Sequence, residues 1–181
     1  MQQTPNVILI GFMGTGKTAV GHALAGRLQW RHRDTDSEIE SEIGCSIADY
    51  FAAEGEAAFR RRETAMLARL VTDISTEQTI LSTGGGTPLR PENATLLKRM
   101  GTVIWLQSSP EAILSRIGFN LSSRPLLAGY LDKPKERIQG LLSARSAHYA
   151  ALADFALDTS KCAGPLRAAE EIISLLGQYQ Q

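Results

Sequence analysis

The stretch GFMGTGKT, Gly11 to Thr18, follows the apolar run VILI, Val7 to Ile10, and precedes AVGHALAGRL, Ala19 to Leu28. It matches GxxxxGK[ST], and its surroundings are those in which that spacing forms a phosphate cradle: a buried strand before it, an amphipathic helix after it. Around Gly14, Thr15 and Gly16 the backbone N–H groups can turn inward toward phosphate oxygens, and the helix that follows adds the positive end of its dipole. Lys17 supplies an ammonium for the β- and γ-phosphates, and the Thr18 hydroxyl can ligate Mg²⁺. Binding of a nucleoside triphosphate follows from this motif; the fate of the triphosphate does not.

Outward from the cradle, short β-rich runs alternate with helical patterns. Thr79 to Ser82 and Thr102 to Leu106 read as strands, the second followed by a helix from Pro110 to about Ile117; Phe155 to Leu157 precedes a helix from Leu166 to about Tyr179. WRHRDT, Trp30 to Thr35, is a poorer strand candidate, assigned to a sheet edge. The alternation predicts the α/β class, a three-layer α/β/α sandwich around a five-stranded parallel sheet. VILI and VIWL are nearly continuous apolar runs, which predicts strands covered on both faces. Two regions break the rhythm where a connection is ordinarily brief. Residues 34–67 are mostly helical and charged, read as a substrate-binding insert; residues 117–134 carry glycine, proline and Arg124, read as a mobile lid.

A chain of 181 residues, 43% hydrophobic and 21% charged, is long enough for one core and is read as a single domain over residues 1–181. Nineteen basic side chains balance nineteen acidic ones, which disfavours nucleic acid or an anionic membrane surface as partner. The opening MQQTPN has no basic region, and VILI is too short for a signal or spanning segment, so a cytoplasmic protein is expected. Cys45 and Cys162 form no metal or disulfide pattern and are read as incidental thiols.

A kinase acting on a small acceptor and a nucleotide-dependent protein switch both use such a cradle. A GTPase switch carries DxxG and NKxD elements, and neither occurs here. Asp34-Thr35-Asp36 ends the edge strand, where open α/β sheets bind ligands. Two carboxylates at i and i+2 of an extended segment project to one side, suited to a division of labour between Mg²⁺ and the attacking hydroxyl. The competing reading is a solvated strand end with Asp36 as a helix cap. In EAAFRRRETAM, Glu56 to Met66, three arginines fan around a helix. Arg60 lies one turn before Glu63 and Thr64, which can fix its guanidinium as a receptor for a substrate carboxylate. Arg61 and Arg62 are read as a solvated face.

Together these motifs resemble those of shikimate kinases, within the nucleoside-monophosphate-kinase-like P-loop fold. The matching pieces run in order: GFMGTGKTAVG at Gly11 to Gly21, DTD at Asp34 to Asp36, SIADYFAAEGEAAFRRRE at Ser46 to Glu63, GGG at Gly84 to Gly86, RPLL at Arg124 to Leu127, and RSAHY at Arg145 to Tyr149. The resemblance implies transfer of a phosphoryl group from ATP to the 3-hydroxyl of shikimate, giving 3-phosphoshikimate and ADP on the way to chorismate and the aromatic amino acids. It implies that Asp36 holds that hydroxyl as base, that Asp34 assists Mg²⁺ with Thr18, and that Arg60 and Arg145 clamp the substrate carboxylate. Arg124 would face the transferred group and the nucleotide as the lid closes, Arg116 would lie against the adenine, and Gly84, Gly85 and Gly86 would offer bare N–H groups to ring hydroxyls. His22 replaces a usual arginine, and Lys161 and Cys162 are unusual beside the adenine. A monomer is expected. Gluconate kinases share the cradle and fold but have less need of two arginines aimed at a carboxylate beside a glycine triplet; a nucleotide-binding regulator that has lost catalysis is a third reading, although every expected catalytic side chain is present.

Overall fold

VILI forms β1 (Val7–Ile10), and all four of its side chains are buried. Alternate residues of a strand point to opposite faces: Ile8 and Ile10 enter one hydrophobic core, Val7 and Leu9 the other. Feeding two cores leaves no position for a polar residue, which is why the run is unbroken. In the computed structural model, which describes residues 6–74, 78–118, 127 and 132–179, β1 lies between two parallel neighbours. They are β3 (Thr79–Ser82) and β4 (Thr102–Gln107). β2 (Arg31–Asp34) and β5 (Phe155–Asp158) pair outside them, also in parallel, giving the order β2-β3-β1-β4-β5. The expected five-stranded parallel sheet is present, with RHRD at an edge. There Arg33 reaches back to Glu38 through two bonds of 2.5 and 2.8 Å, a pairing that central strands have no room for.

Helices α1 (Lys17–Leu28) and α7 (Pro165–Tyr179) cover the face of Val7 and Leu9 with Val20, Leu24, Ala168 and Ile172. The other face is covered by α3 (Ile47–Asp73), α4 (Pro91–Met100) and α6 (Pro134–Leu152), through Phe59, Met66, Leu67, Leu97 and Tyr149. The remaining helices are α2 (Thr35–Ile43) and α5 (Pro110–Ile117). Among the described residues no helix is long and apolar enough to cross a membrane.

Two local features differ from the sequence expectation. The DTD segment is not extended throughout: α2 begins at Thr35, and Asp34 rather than Asp36 is its cap, accepting from the N–H groups of Asp36 and Ser37 at 3.0 and 3.4 Å. A carboxylate at this position satisfies orphan donors and meets the positive helix end, which stops the strand one residue early. The insert is helical as expected, but α3 breaks at Gly55, whose φ of 79° and ψ of 165° suit glycine alone. Most of the stretch 117–134 lies outside the described residues.

The parallel register carries function to one edge. Asp34 and Leu9 both register with Ser82, so the chain leaves three adjacent strands at one level. At the opposite edge the fold is closed by Asn6, 1% exposed. Its amide donates to the carbonyls of Ile74 and Met100 at 2.9 and 3.0 Å, and its oxygen accepts from the N–H of Thr79 at 2.9 Å. One side chain thus ties the ends of α3 and α4 to the starts of β1 and β3. Asn6→Ala removes three buried hydrogen bonds to backbone groups, and urea unfolding should show a loss of at least about 2 kcal/mol; a loss under about 0.5 kcal/mol would mean that the clamp carries no stability.

Candidate active site

The loop between β1 and α1 encloses its own lysine. Lys17, 9% exposed, donates to the carbonyls of Gly11 and Phe12 at 3.0 and 2.8 Å, and Thr15 Oγ1 donates to the carbonyl of Phe12 at 2.8 Å. Thr18 Oγ1 donates to Asp34 Oδ2 at 2.7 Å. With Oδ1 engaged by the start of α2, the Asp34 carboxylate is held in one orientation at the mouth of the loop. No group of three His, Cys, Asp or Glu among the described residues could hold a metal ion. A Mg²⁺ ion that keeps several waters and takes phosphate oxygens needs only one or two protein ligands, and Thr18 with Asp34 meets that need.

Arg116 borders the same loop on the side away from the sheet's β2 edge. Its Nη1 donates to Thr159 Oγ1 at 2.9 Å and to the carbonyls of Gly14 and Thr15 at 3.3 and 3.4 Å; Nη2 donates to the carbonyl of Thr159 at 2.8 Å. Lys161, in the neighbouring loop, is turned to Asp158 at 3.4 Å.

Beside the loop opens a cavity of about 530 Å³, lined by Asp36, Arg60, Glu63, Gly84, Gly85, Gly86 and Arg145, with Met13, Phe51 and Phe59 among its apolar walls. The glycine triplet belongs to this cavity, for a reason the sequence did not disclose. An added Cβ on Gly84 would sit 2.6 Å from Asp36 Oδ1, one on Gly86 2.5 Å from Arg60 Nη2, and one on Gly85 3.2 Å from the backbone nitrogen of Met13. None of the three has a positive φ. They are glycines for space: the strand exit presses against the carboxylate, the guanidinium and the phosphate loop, one residue each. The expectation of three bare N–H groups is corrected at Gly84, whose N–H donates to Thr35 Oγ1 at 2.9 Å.

Two arginines face the cavity from different elements. Arg60 stacks over Phe59 and Phe51 at 5.3 and 6.0 Å and donates through Nη1 to both oxygens of Glu63, at 3.2 and 3.0 Å. Glu63 is fully buried and also accepts from Thr87 Oγ1 at 2.6 Å. Thr64, expected as a second partner for the guanidinium, bonds back to the Arg60 carbonyl at 3.0 Å instead. Arg145 lies over the Phe12 ring at 5.4 Å, and its Nη1 is buried with no hydrogen-bond partner among the described residues. One turn on, Tyr149 donates to the carbonyl of Gly85 at 2.6 Å and ties α6 to the triplet. Thr87 lies in none of the motifs, and Thr35 and Tyr149, although inside DTD and RSAHY, carried no assigned role there, because their partners are backbone atoms or, for Thr87, a carboxylate on another element. Arg124 lies outside the described residues.

The Asp36 carboxyl is pushed up from 3.8 to about 6, first by burial and then by the Asp34 charge, against the opposing pull of Lys17 and Arg60. A carboxyl in this range can take up a proton near neutral pH.

A parallel sheet with a lysine-bearing phosphate loop, a basic carboxylate beside it and an arginine-flanked acceptor cavity defines a P-loop kinase of the small-molecule class. A family model described as shikimate kinase matches residues 13–176. Shikimate kinase of Symbiobacterium thermophilum is 44% identical over 157 residues, 86% of this chain and 87% of its own length. That of Pelotomaculum thermopropionicum is 43% identical over 175 residues, 96% of each. Among solved structures, shikimate kinase from Acinetobacter baumannii in complex with shikimate superposes with a TM-score of 0.88 at 35% identity, covering 97% of this chain and 94% of that one. The chain belongs to the shikimate kinase family.

The carboxyl shift has a consequence for stability. Because the folded value lies above the usual 3.8, protonated Asp36 favours the fold fully below that pH, and the advantage is lost as pH rises through about 6. At about pH 7.5, Asp36→Asn removes a penalty on the order of 3 kcal/mol. Thermal melts should place the variant above the parent at that pH and level with it below about pH 4; a variant that melts lower at neutral pH would contradict the shift.

Proposed function

We propose that the cavity takes shikimate and that the chain transfers the γ-phosphoryl group of ATP to its 3-hydroxyl, in the route to chorismate and the aromatic amino acids. One observation carries this reading: a carboxyl raised to about 6 shares a cavity beside the phosphate loop with two arginines, one of which has a buried donor unpartnered among the described residues. A substrate with a ring hydroxyl to be activated and a carboxylate to be anchored matches that set. The Acinetobacter relative was solved with shikimate.

In this mechanism Gly14, Thr15, Gly16 and Lys17 hold the triphosphate, and Lys17 exchanges its loop carbonyls for phosphate oxygens. Thr18 and Asp34 hold Mg²⁺, which when bound neutralises charge on the β- and γ-phosphate oxygens. Arg60 and Arg145 take the acceptor carboxylate, and Phe51 and Phe59 flank the Arg60 guanidinium. Asp36 accepts the proton of the 3-hydroxyl as its oxygen bonds to the γ-phosphorus. The bond from that phosphorus to the β–γ bridging oxygen breaks, and ADP leaves. The neighbouring Arg116 helps fix the nucleotide end through the P-loop carbonyls, and Arg124 is assigned to the transferring group. Water is the competing acceptor, so pairing the base with a carboxylate anchor favours the alcohol.

A coupled ADP-release assay offering shikimate, gluconate or no acceptor tests the assignment. Turnover is expected with shikimate alone, and turnover only with gluconate, or none at all, would sink it. With Asp36→Asn, kcat should fall at least about a hundredfold while ATP affinity stays near that of the parent. In the parent, kcat/KM for the acceptor should fall about tenfold per pH unit below about pH 6, since protonation removes the base; a flat profile from pH 5 to pH 8, about the window in which such a carboxyl titrates, would remove Asp36 from the role.

A further inference from the structure

Arg60 is held by two carboxylates, and they are not equivalent. Glu63 is fully enclosed, bonds to Nη1 through both oxygens and is itself anchored by Thr87. Glu56 meets the guanidinium from the cavity side: its Oε1 accepts from Nη2 at 3.1 Å and from Nε at 3.3 Å, and its side chain is 59% exposed. Glu63 cannot leave without stranding a buried charge, which costs several kcal/mol. Glu56 can rotate into water at a cost of no more than about 1 kcal/mol, because its own carboxylate is largely exposed.

Glu56 occupies the Nε/Nη2 edge, the donor fork that an incoming carboxylate would use. It stands there because α3 breaks at Gly55, so Glu56 heads the second helical segment one turn before Arg60. Both residues line the cavity. We propose that Glu56 is a resident stand-in for the acceptor's carboxylate: it holds Arg60 aimed into the empty cavity and is displaced when the acceptor binds. The consequence is specificity. An acceptor without a strong anionic group must compete with Glu56 and gains nothing on displacing it, whereas a substrate carboxylate replaces a single-oxygen contact with a bidentate one. Binding is correspondingly weaker than an unoccupied arginine would give.

This inference rests on the assignment of Arg60 to the acceptor carboxylate, and the test separates the two. Shikimate dissociation constants would be measured by calorimetry, without nucleotide, for the parent, Glu56→Gln, Glu56→Ala and Arg60→Ala. Removal of the competing charge should tighten shikimate about two- to fivefold in both Glu56 variants, or ~0.4–1 kcal/mol. Shikimate methyl ester, which lacks the charge, should gain less than shikimate does. Unchanged or weaker shikimate binding in both Glu56 variants, with binding lost in Arg60→Ala, would overturn the stand-in role and leave the arginine's assignment intact. Parent-like binding in Arg60→Ala would overturn both. Circular dichroism melts of each variant would identify any loss of affinity that comes from unfolding, and Glu56→Gln, which keeps size and helix propensity, is the decisive variant.

Discussion

Because every strand runs in one direction and β1 is covered on both faces, all the chemistry must leave the sheet at one edge. Parallel strands have no hairpins to spread functional residues between two ends, and β1, which sends Ile8 and Ile10 into one core and Val7 and Leu9 into the other, hosts nothing polar along its length. The carboxyl ends of β1, β3 and β2 therefore deliver the phosphate loop, the glycine triplet and Asp34 side by side. The phosphate loop and the cavity beside it are neighbours as a result of topology, before any side chain is placed.

Crowding at that edge sets the electrostatics. Asp34, Asp36 and Glu63 come together close to Lys17 and Arg60, and burial raises the cost of each charge. Asp34 is satisfied by Thr18 and two backbone N–H groups, and Glu63 by Arg60 and Thr87. Asp36 has no comparable set of partners among the described residues, and burial beside the Asp34 charge pushes its carboxyl up to about 6. The carboxylate proposed as the base is the one its neighbours leave out, so the reactivity proposed for it follows from how completely the others are paired.

How much of this could be read from the chain depends on whether a residue acts through pattern or through space. The phosphate loop, the two-faced strands and the edge position of RHRD follow from spacing and hydropathy, which are local. The cap of α2 lies two residues before the one the sequence offered, because an aspartate after a strand can end it by capping as readily as extend it, and the Thr18 bond that helps orient Asp34 comes from another element. The glycine triplet shares a cavity with Asp36 and Arg60, but its close approach to them is not legible in the chain, because it needs three separate elements in position. Asn6 and Thr87 were invisible, since a buried polar side chain looks like any other until its distant partners are known.

A common logic links the cationic groups of the site. Lys17 rests on the carbonyls of Gly11 and Phe12, Arg116 on those of Gly14, Thr15 and Thr159, and Arg60 on Glu56 as well as Glu63. Each is already oriented by protein oxygens, so a ligand replaces contacts rather than creating them, and its net gain is the difference between two sets of bonds. Arg145 differs, for its Nη1 is buried with no partner among the described residues. An anion reaching that nitrogen displaces no protein contact there and relieves an unsatisfied donor. In the proposed acceptor complex the largest gain per bond would therefore fall to Arg145, while Arg60 would contribute direction, and the two together would favour a ligand whose single carboxylate can reach both.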